Sequence, residues 1–435
     1  MRGRPFLTLL AAVVLTAGVA LAAQAVPGPT SPAPPAAGSH GRGHWVHTWT
    51  SMPQLTEPGN MPPPPFTQDG LVMADATLRQ TVRVSVGGER LRLRLSNAFG
   101  GSALPVTAVS VALPAGGQAG VSGIQAGTAR PVTFSGRAST VVPVGAQVVS
   151  DPLAFSVPAR TNLTVTLYLA RGQASNEITS HPGSRTTSHL LAGNHVTAED
   201  LPGATPTDHW YFLSGVEVWD RRPARKAVVM LGDSLTDGRG STTNGNDRWP
   251  DQLVDRLQAD RRTAHVAVLN QAAGGNRVLN DGLGPNALAR LDRDVFAQTG
   301  VRWLLVFEGV NDLGTAEPTE AAQRQVAADL IAAYEQIVVR AHAQDIPVFG
   351  ATLLPFGGHT GYDDPAGHRA AARETVNRWI RTSGRFDAVI DFDAATRDPA
   401  DPGRLLPALD VGDHLHLNPK GYQVLADTVP ARLFR

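Results

Sequence analysis

Near residue 222 the chain changes rhythm, and that change constrains its architecture more than any other feature. From Trp45 to about Asp220 the pattern has period two. Val82, Val84 and Val86 alternate with Arg83 and Ser85, Gly87-Gly88 follows, and Leu91, Leu93 and Leu95 alternate with Arg92 and Arg94. Two alternating runs joined by a glycine pair predict a β-hairpin. Residues 106–113, 141–149, 163–169 and 216–219 read as further strands, and no helix of three turns is evident. Many short strands with Gly/Pro punctuation predict an antiparallel β-sandwich or jelly roll over 44–222.

From Lys226 the pattern becomes short apolar runs separated by longer helical stretches. Strands are predicted at 227–231, 266–269, 301–307, 346–352 and 386–390, with helices near 249–261, 287–296, 319–344 and 367–382. Apolar strands linked by helices predict an α/β domain over 223–435, its parallel sheet covered by helices on both faces. Asn418-Pro419 predicts the start of a last helix, with asparagine as the cap and proline in the first turn. A chain of 435 residues also favours more than one domain.

At the N-terminus Arg2 and Arg4 precede an apolar run over 6–20, and Ala20-Leu21-Ala22 and Ala23-Gln24-Ala25 both fit a small-x-small cleavage site. A signal peptide over 1–25, cut after Ala22 or Ala25, and a secreted protein are expected. An apolar run of about 15 residues is short for a spanning helix, so no stable membrane anchor is expected. Residues 26–43 are proline, glycine and small residues that bury too little apolar area to fold, and read as a linker. The absence of cysteine excludes disulfides and lipid attachment through a cysteine; a large core makes disulfides dispensable. Formal charge is zero and the only lysines are Lys226 and Lys420. Nothing in that balance points to nucleic acid or an anionic membrane.

The apolar run ending at Leu231 stops at Gly232-Asp233-Ser234-Leu235-Thr236-Asp237-Gly238. A serine hydroxyl is thereby placed at the carboxyl end of a strand, where open α/β sheets bind ligands. Serine or aspartate there also serves simply as a helix cap. Thr236 stands where the G-x-S-x-G elbow of α/β-hydrolases has glycine. The second strand runs into Asn270-Gln271-Ala272-Ala273-Gly274-Gly275-Asn276-Arg277, which reads as a turn or as backbone N–H aimed at a reacting group. The third runs into Gly309-Val310-Asn311-Asp312, where Asn311 is either an Asx turn or an amide donor for an oxyanion. Late in the chain comes Asp413-His414-Leu415-His416. With 13 histidines, about one Asp-x-x-His spacing is expected by chance from the composition, so spacing alone proves little. His414 and His416 would share a face for a metal if the segment were extended, but no other cluster of ligands recurs. The preferred role is that His416 takes the proton of Ser234 while Asp413 fixes its tautomer.

Gly232-Asp233-Ser234-Leu235, Gly275 in an Asn-x-x-x-x-Gly loop, Gly309-Val310-Asn311-Asp312 and Asp413-x-x-His416 resemble the four blocks of the SGNH (GDSL) hydrolases, in order and on the corresponding elements. The resemblance spans 226–435. It implies a flavodoxin-like sheet and a serine esterase or acylhydrolase. It also implies an oxyanion hole built from the Ser234 and Gly275 N–H groups and the Asn311 side chain, and no metal or organic cofactor. Block two departs from the pattern, with Ala-Gly-Gly-Asn where many relatives have Gly-Ile-Ser-Gly-Asn, so Gly274 competes with Gly275. Trp45-Val46-x-Thr48-Trp49 and Thr77-Leu78-Arg79-Gln80 resemble the β-domain that precedes the hydrolase domain in secreted actinobacterial esterases. Such a sandwich could wall the crevice or hold a polysaccharide. Trp45, Trp49 and Trp210 could stack on sugars, although filling the core is the commoner role, and Trp249 is expected beneath the site.

The expected function is a secreted serine esterase acting on short-chain, above all acetyl, esters of carbohydrates. The expected partner is a small or polymeric ester substrate. A lipase or phospholipase and a non-catalytic polysaccharide-binding module are the alternatives. A flavodoxin-like nucleotide binder is disfavoured because no G-x-G-x-x-G or Walker loop follows the first strand. No long apolar lid segment is evident, which favours short acyl groups, and the 356–365 loop is expected to shape the pocket.

Overall fold

The computed structural model describes residues 43–221 and 225–435. The expected leader and nearly all of the expected linker lie outside the described residues. In the first half the principal strands are β1 (His44–Thr50), β2 (Leu71–Arg83), β3 (Gly88–Ser96), β4 (Asn162–Gln173) and β5 (Leu213–Asp220). β5 lies between β1 and β3 in a five-stranded antiparallel sheet, and β2 and β4 pair in a seven-stranded one. Leu91, Leu93 and Leu95 of the first sheet and Leu163, Val165 and Leu167 of the second are fully buried in one apolar cluster. Period-two patterning therefore did specify a sandwich. A small third sheet joins Gln54–Leu55, Thr179–His181 and Trp210–Tyr211.

The hairpin expected at Gly87-Gly88 does not form. β2 and β3 belong to different sheets, and the glycine pair is the corner between them. Neither glycine has the positive φ that a two-residue hairpin turn of the favoured type requires. Their lack of a side chain serves close packing instead. A Cβ on Gly87 would stand 2.2 Å from the Val157 carbonyl oxygen, and one on Gly88 would stand 2.7 Å from Val218 Cβ. The strand expected at 141–149 is likewise two strands, Thr140–Val142 and Gln147–Val149, interrupted at Pro143 and at Gly145 with φ 76°. Residues 106–113 divide in the same way, at Thr107.

The second half supplies β6 (Lys226–Gly232), β7 (Val266–Ala272), β8 (Val301–Phe307), β9 (Val348–Ala351) and β10 (Ala388–Ile390). All are parallel, in the spatial order β7-β6-β8-β9-β10. That is the flavodoxin-like order, with its crevice at the carboxyl ends of the first and third strands. The helices are α1 (Ser234–Asp237), α2 (Trp249–Ala259), α3 (Ala287–Leu291), α4 (Val310–Thr315), α5 (Glu320–His342), α6 (His368–Thr382), α7 (Phe392–Thr396) and α8 (Pro419–Thr428). Alternate residues of β6 explain the two covered faces. Val228 and Met230 pack with Leu253 of α2 and Leu425 of α8, whereas Val229 and Leu231 pack with Leu330 of α5 and Val376 of α6. The second of these clusters is continuous with the sandwich core. β1 abuts edge strand β7, where Thr50 Oγ1 donates to the Asn270 carbonyl at 3.2 Å and the Val268 N–H donates to Ser85 Oγ at 3.2 Å. Among the described residues no helix is long and apolar enough to cross a membrane.

Candidate active site

The turn after β6 settles what each of its residues does. Asp233, not Ser234, caps the short helix that follows, its Oδ1 accepting the Leu235 N–H at 3.0 Å. Gly238 closes that helix with φ 97°, a left-handed conformation that favours glycine. The Ser234 hydroxyl is thus released from capping and lies 2.8 Å from His416 Nε2. His416 Nδ1 lies 2.7 Å from Asp413 Oδ2, and Asp413 Oδ1 accepts the backbone N–H of His416 at 2.8 Å and of Leu415 at 3.0 Å. A carboxylate only accepts, so Nδ1 carries the proton and Nε2 offers a lone pair to the serine hydroxyl.

Electrostatics agree with that tautomer. Burial pushes the Asp413 carboxyl up, but the His416 backbone and ring N–H groups outweigh it and hold the acid down at about 2. Burial also lowers the His416 imidazole below its ordinary value, against the opposing pull of Asp413. The ring is therefore neutral, and competent as a base, over the neutral pH range.

Two loops complete the crevice. Asn311, on α4, donates from Nδ2 to the Asn276 carbonyl at 2.8 Å, and its Oδ1 accepts the Tyr362 hydroxyl at 2.7 Å. Both contacts fix which way the amide faces, and Asn311 itself lines the cleft. Gly274 and Gly275 are no longer equivalent: the Gly274 N–H is committed to Asp237 Oδ2 at 3.1 Å, whereas the Gly275 N–H has no partner among the described residues. Gly275 has φ 71°, and a Cβ there would meet Leu283 Cδ1 at 2.4 Å.

Several residues that hold this geometry were missed in the sequence. Buried Arg290, on α3, ties the strand ends together. It donates to the carbonyls of Gly232 at 3.3 Å and Gln271 at 2.5 Å, and to Asn276 Oδ1 at 3.0 Å, and it pairs with Glu308 at 3.4 Å. Asp312 accepts the N–H groups of Val278 and Leu279, each at 2.9 Å, which shapes the second loop. Burial raises Glu308 to about 7 and Asp312 to about 6. An arginine and its aspartate four residues on, on a short helix between two sheet strands, was the only signal for Arg290.

Ser234, Gly275, Asn311, Asp413 and His416 all line one cleft of about 490 Å³. The sandwich forms its other wall through Gln54, Glu57, Asn60, Arg185 and His209. His359 and Tyr362, from the loop expected to shape the pocket, line it as well. Trp49 and Trp210 are buried and take no part. Trp249 is fully buried beneath the turn, its indole N–H donating to Thr236 Oγ1 at 3.2 Å. His414 turns away from His416 to meet Asp410 at 2.8 Å, through a backbone with φ 64°. The two imidazoles do not converge, and among the described residues no group of three or more His, Cys, Asp or Glu is placed to hold a metal ion.

Residues 230–424 match the model of the GDSL-like Lipase/Acylhydrolase family. The second half of the chain is a GDSL-like acylhydrolase domain. That domain holds the whole Ser234–His416–Asp413 chain, and the family is one of hydrolases. Among solved structures the protein is similar to one described as lipolytic and of the G-D-S-L family from Desulfitobacterium hafniense, at 19% identity and TM-score 0.36 over 48% of this chain and 99% of that one. It is similar to Axe2, an acetylxylan esterase from Geobacillus stearothermophilus, at 19% identity and TM-score 0.35 over 47% and 91%. It is also similar to a GDSL-like lipase from Bacteroides thetaiotaomicron, at 16% identity and TM-score 0.34 over 47% and 85%. No curated protein matches the chain.

Proposed function

We propose that the protein is an exported serine esterase that removes short acyl groups, acetyl foremost, from hydroxylated substrates such as carbohydrates. The hydrogen-bond chain Ser234–His416–Asp413 carries this reading. Ser234 Oγ attacks the ester carbonyl as His416 Nε2 takes its proton, and the imidazolium formed is stabilised by Asp413. The carbonyl oxygen becomes an oxyanion facing the Ser234 and Gly275 N–H groups and the Asn311 amide. His416 then protonates the departing alcohol, and water, activated by the same base, releases the acid from the acyl-serine.

The lining of the cleft supports short acyl groups. Most of the residues that line it are polar, although nearly half of its surface is apolar, and its only aliphatic side chains besides proline are Leu283 and Leu415. Two leucines do not make the continuous aliphatic channel that a long acyl chain would need. Export is supported by the charged-then-apolar leader and small-x-small sites over 1–25. The reading is tested with p-nitrophenyl esters of increasing acyl length. Acetate should be the best substrate and the rate should fall by six or eight carbons; a preference for the longest chains would make the enzyme a lipase.

A further inference from the structure

Among the described residues, every other arginine that is buried or half-buried meets a carboxylate, an oxygen acceptor or an aromatic ring. Arg185 is the exception. It lies between Thr179–His181 and Ser188–Ala192, is half-buried, has a buried Nε with no hydrogen-bond partner, and lines the cleft with Ser234 and His416. The loop that presents it is built rather than loose. Ser184 Oγ donates to the Asp208 carbonyl at 2.7 Å, the Asn244 N–H donates to the Arg185 carbonyl at 2.9 Å, and the Thr187 N–H donates to Asn244 Oδ1 at 2.8 Å. Arg185 itself is held at φ 50°, a conformation that is strained for a side-chain-bearing residue and concentrates at ligand-binding sites.

The carboxylates of the cleft do not supply the missing partner. Glu57 is taken by Gln54 at 2.5 Å and Asn60 at 2.8 Å, Asp237 by His181 and Gly274, and Asp413 by His416. Arg239, exposed and just past the Ser234 helix, lines the same cleft, and its side chain also has no partner among the described residues. A partly desolvated guanidinium without a counter-charge is unfavourable, and its planar fork matches a carboxylate.

The geometry points to a substrate that is an ester bearing a free carboxylate, with Arg185, aided by Arg239, receiving that carboxylate while Ser234 attacks the acyl carbon. This rests on the esterase reading and narrows it to O-acylated acids, of which an acylated acidic sugar is the carbohydrate form. The carboxylate can lie on the alcohol or on the acyl side, and the test separates the two.

The experiment compares kcat/KM for 4-acetoxybenzoate (carboxylate on the alcohol), p-nitrophenyl hemisuccinate (carboxylate on the acyl group) and their methyl esters, each corrected for its hydroxide-catalysed rate. Wild type is expected to favour one charged ester over its neutral partner by about tenfold, the worth of one charge-assisted contact. Arg185→Gln should remove most of that preference, and Arg185→Lys should restore part of it. Added salt should weaken the preference in wild type and not in Arg185→Gln. Equal use of charged and neutral esters by wild type, or a preference that survives both Arg185→Gln and Arg239→Gln, overturns the inference. Failure to hydrolyse any of the four esters overturns the esterase reading itself.

Discussion

His181 hydrogen-bonds Asp237 at 2.8 Å, joining the sandwich to the turn that carries Ser234. The other ring nitrogen meets the Met52 carbonyl at 3.0 Å, and the second oxygen of Asp237 accepts the Gly274 N–H at 3.1 Å. A continuous path thus runs from the first half of the chain to the loop that presents Gly275. Gly183 leaves room for it, since a Cβ there would fall 1.7 Å from Asp237 Oδ2. The first half of the chain therefore does more than wall the cleft: it braces the loop of the proposed oxyanion site.

Removing that brace should slow chemistry without abolishing binding. Deleting an oxyanion donor outright costs about 10²–10³ in kcat; loosening the loop that holds one should cost less. His181→Ala is expected to lower kcat about tenfold with KM nearly unchanged, and to lower the melting temperature. Steady-state kinetics would check this. A raised KM at constant kcat would make His181 a substrate-binding residue instead.

If Ser234 and His416 are nucleophile and base, as proposed, they act as a unit and their losses should not add. Ser234→Ala, His416→Ala and the double variant should each lose on the order of 10⁴–10⁶ in kcat, while Asp413→Ala loses one or two powers of ten less. Asp413 is proposed to orient and stabilise the ring, whereas His416 itself moves the proton. Additive losses in the double variant would separate the two residues mechanistically.

Asn311 and Tyr362 should give a graded pair. Asn311→Ala removes the proposed oxyanion donor and is expected to reduce kcat about 10²–10³-fold. Tyr362→Phe leaves the donor but frees its orientation, and should cost only a few-fold. An equal loss in both would place the Tyr362 hydroxyl itself at the reacting centre.

The pH profile follows from the burial of His416. As the proposed base His416 works unprotonated, and burial holds its pKa below the ordinary 6.5. The acid limb of kcat/KM should therefore have its midpoint below pH 6.5, with a plateau above it. Asp413 pulls that pKa upward, so Asp413→Asn should move the limb to still lower pH while lowering the plateau. A shift to higher pH would contradict the assigned direction.

Legibility in the sequence tracked the distance over which each interaction acts. The parallel strands were within reach because apolar runs and crossover rules are local and topological, whereas their flavodoxin-like order and the pairing of Asp413 with His416 came from the resemblance of four motif blocks, not from spacing. Gly87-Gly88 misled because the same dipeptide serves a hairpin turn and a tightly packed corner, and only Val157 and Val218, far along the chain, distinguish the two. His181 and Arg290 were invisible for the same reason. Each is an ordinary residue in its own segment, and its role comes from Asp237, Gly232, Gln271 and Glu308, which the fold brings to it. Arg185 is one arginine among many in a chain with only two lysines, and its missing partner shows only in three dimensions.

The central claim is that Ser234 is the nucleophile of a working acyl-transfer site, and covalent labelling tests it most directly. Wild-type protein treated with a fluorophosphonate should gain the mass of a single adduct, which peptide mapping should place on Ser234. Ser234→Ala and His416→Ala should gain none at the same exposure. An adduct on another residue, or esterase activity in Ser234→Ala equal to wild type, would contradict the account.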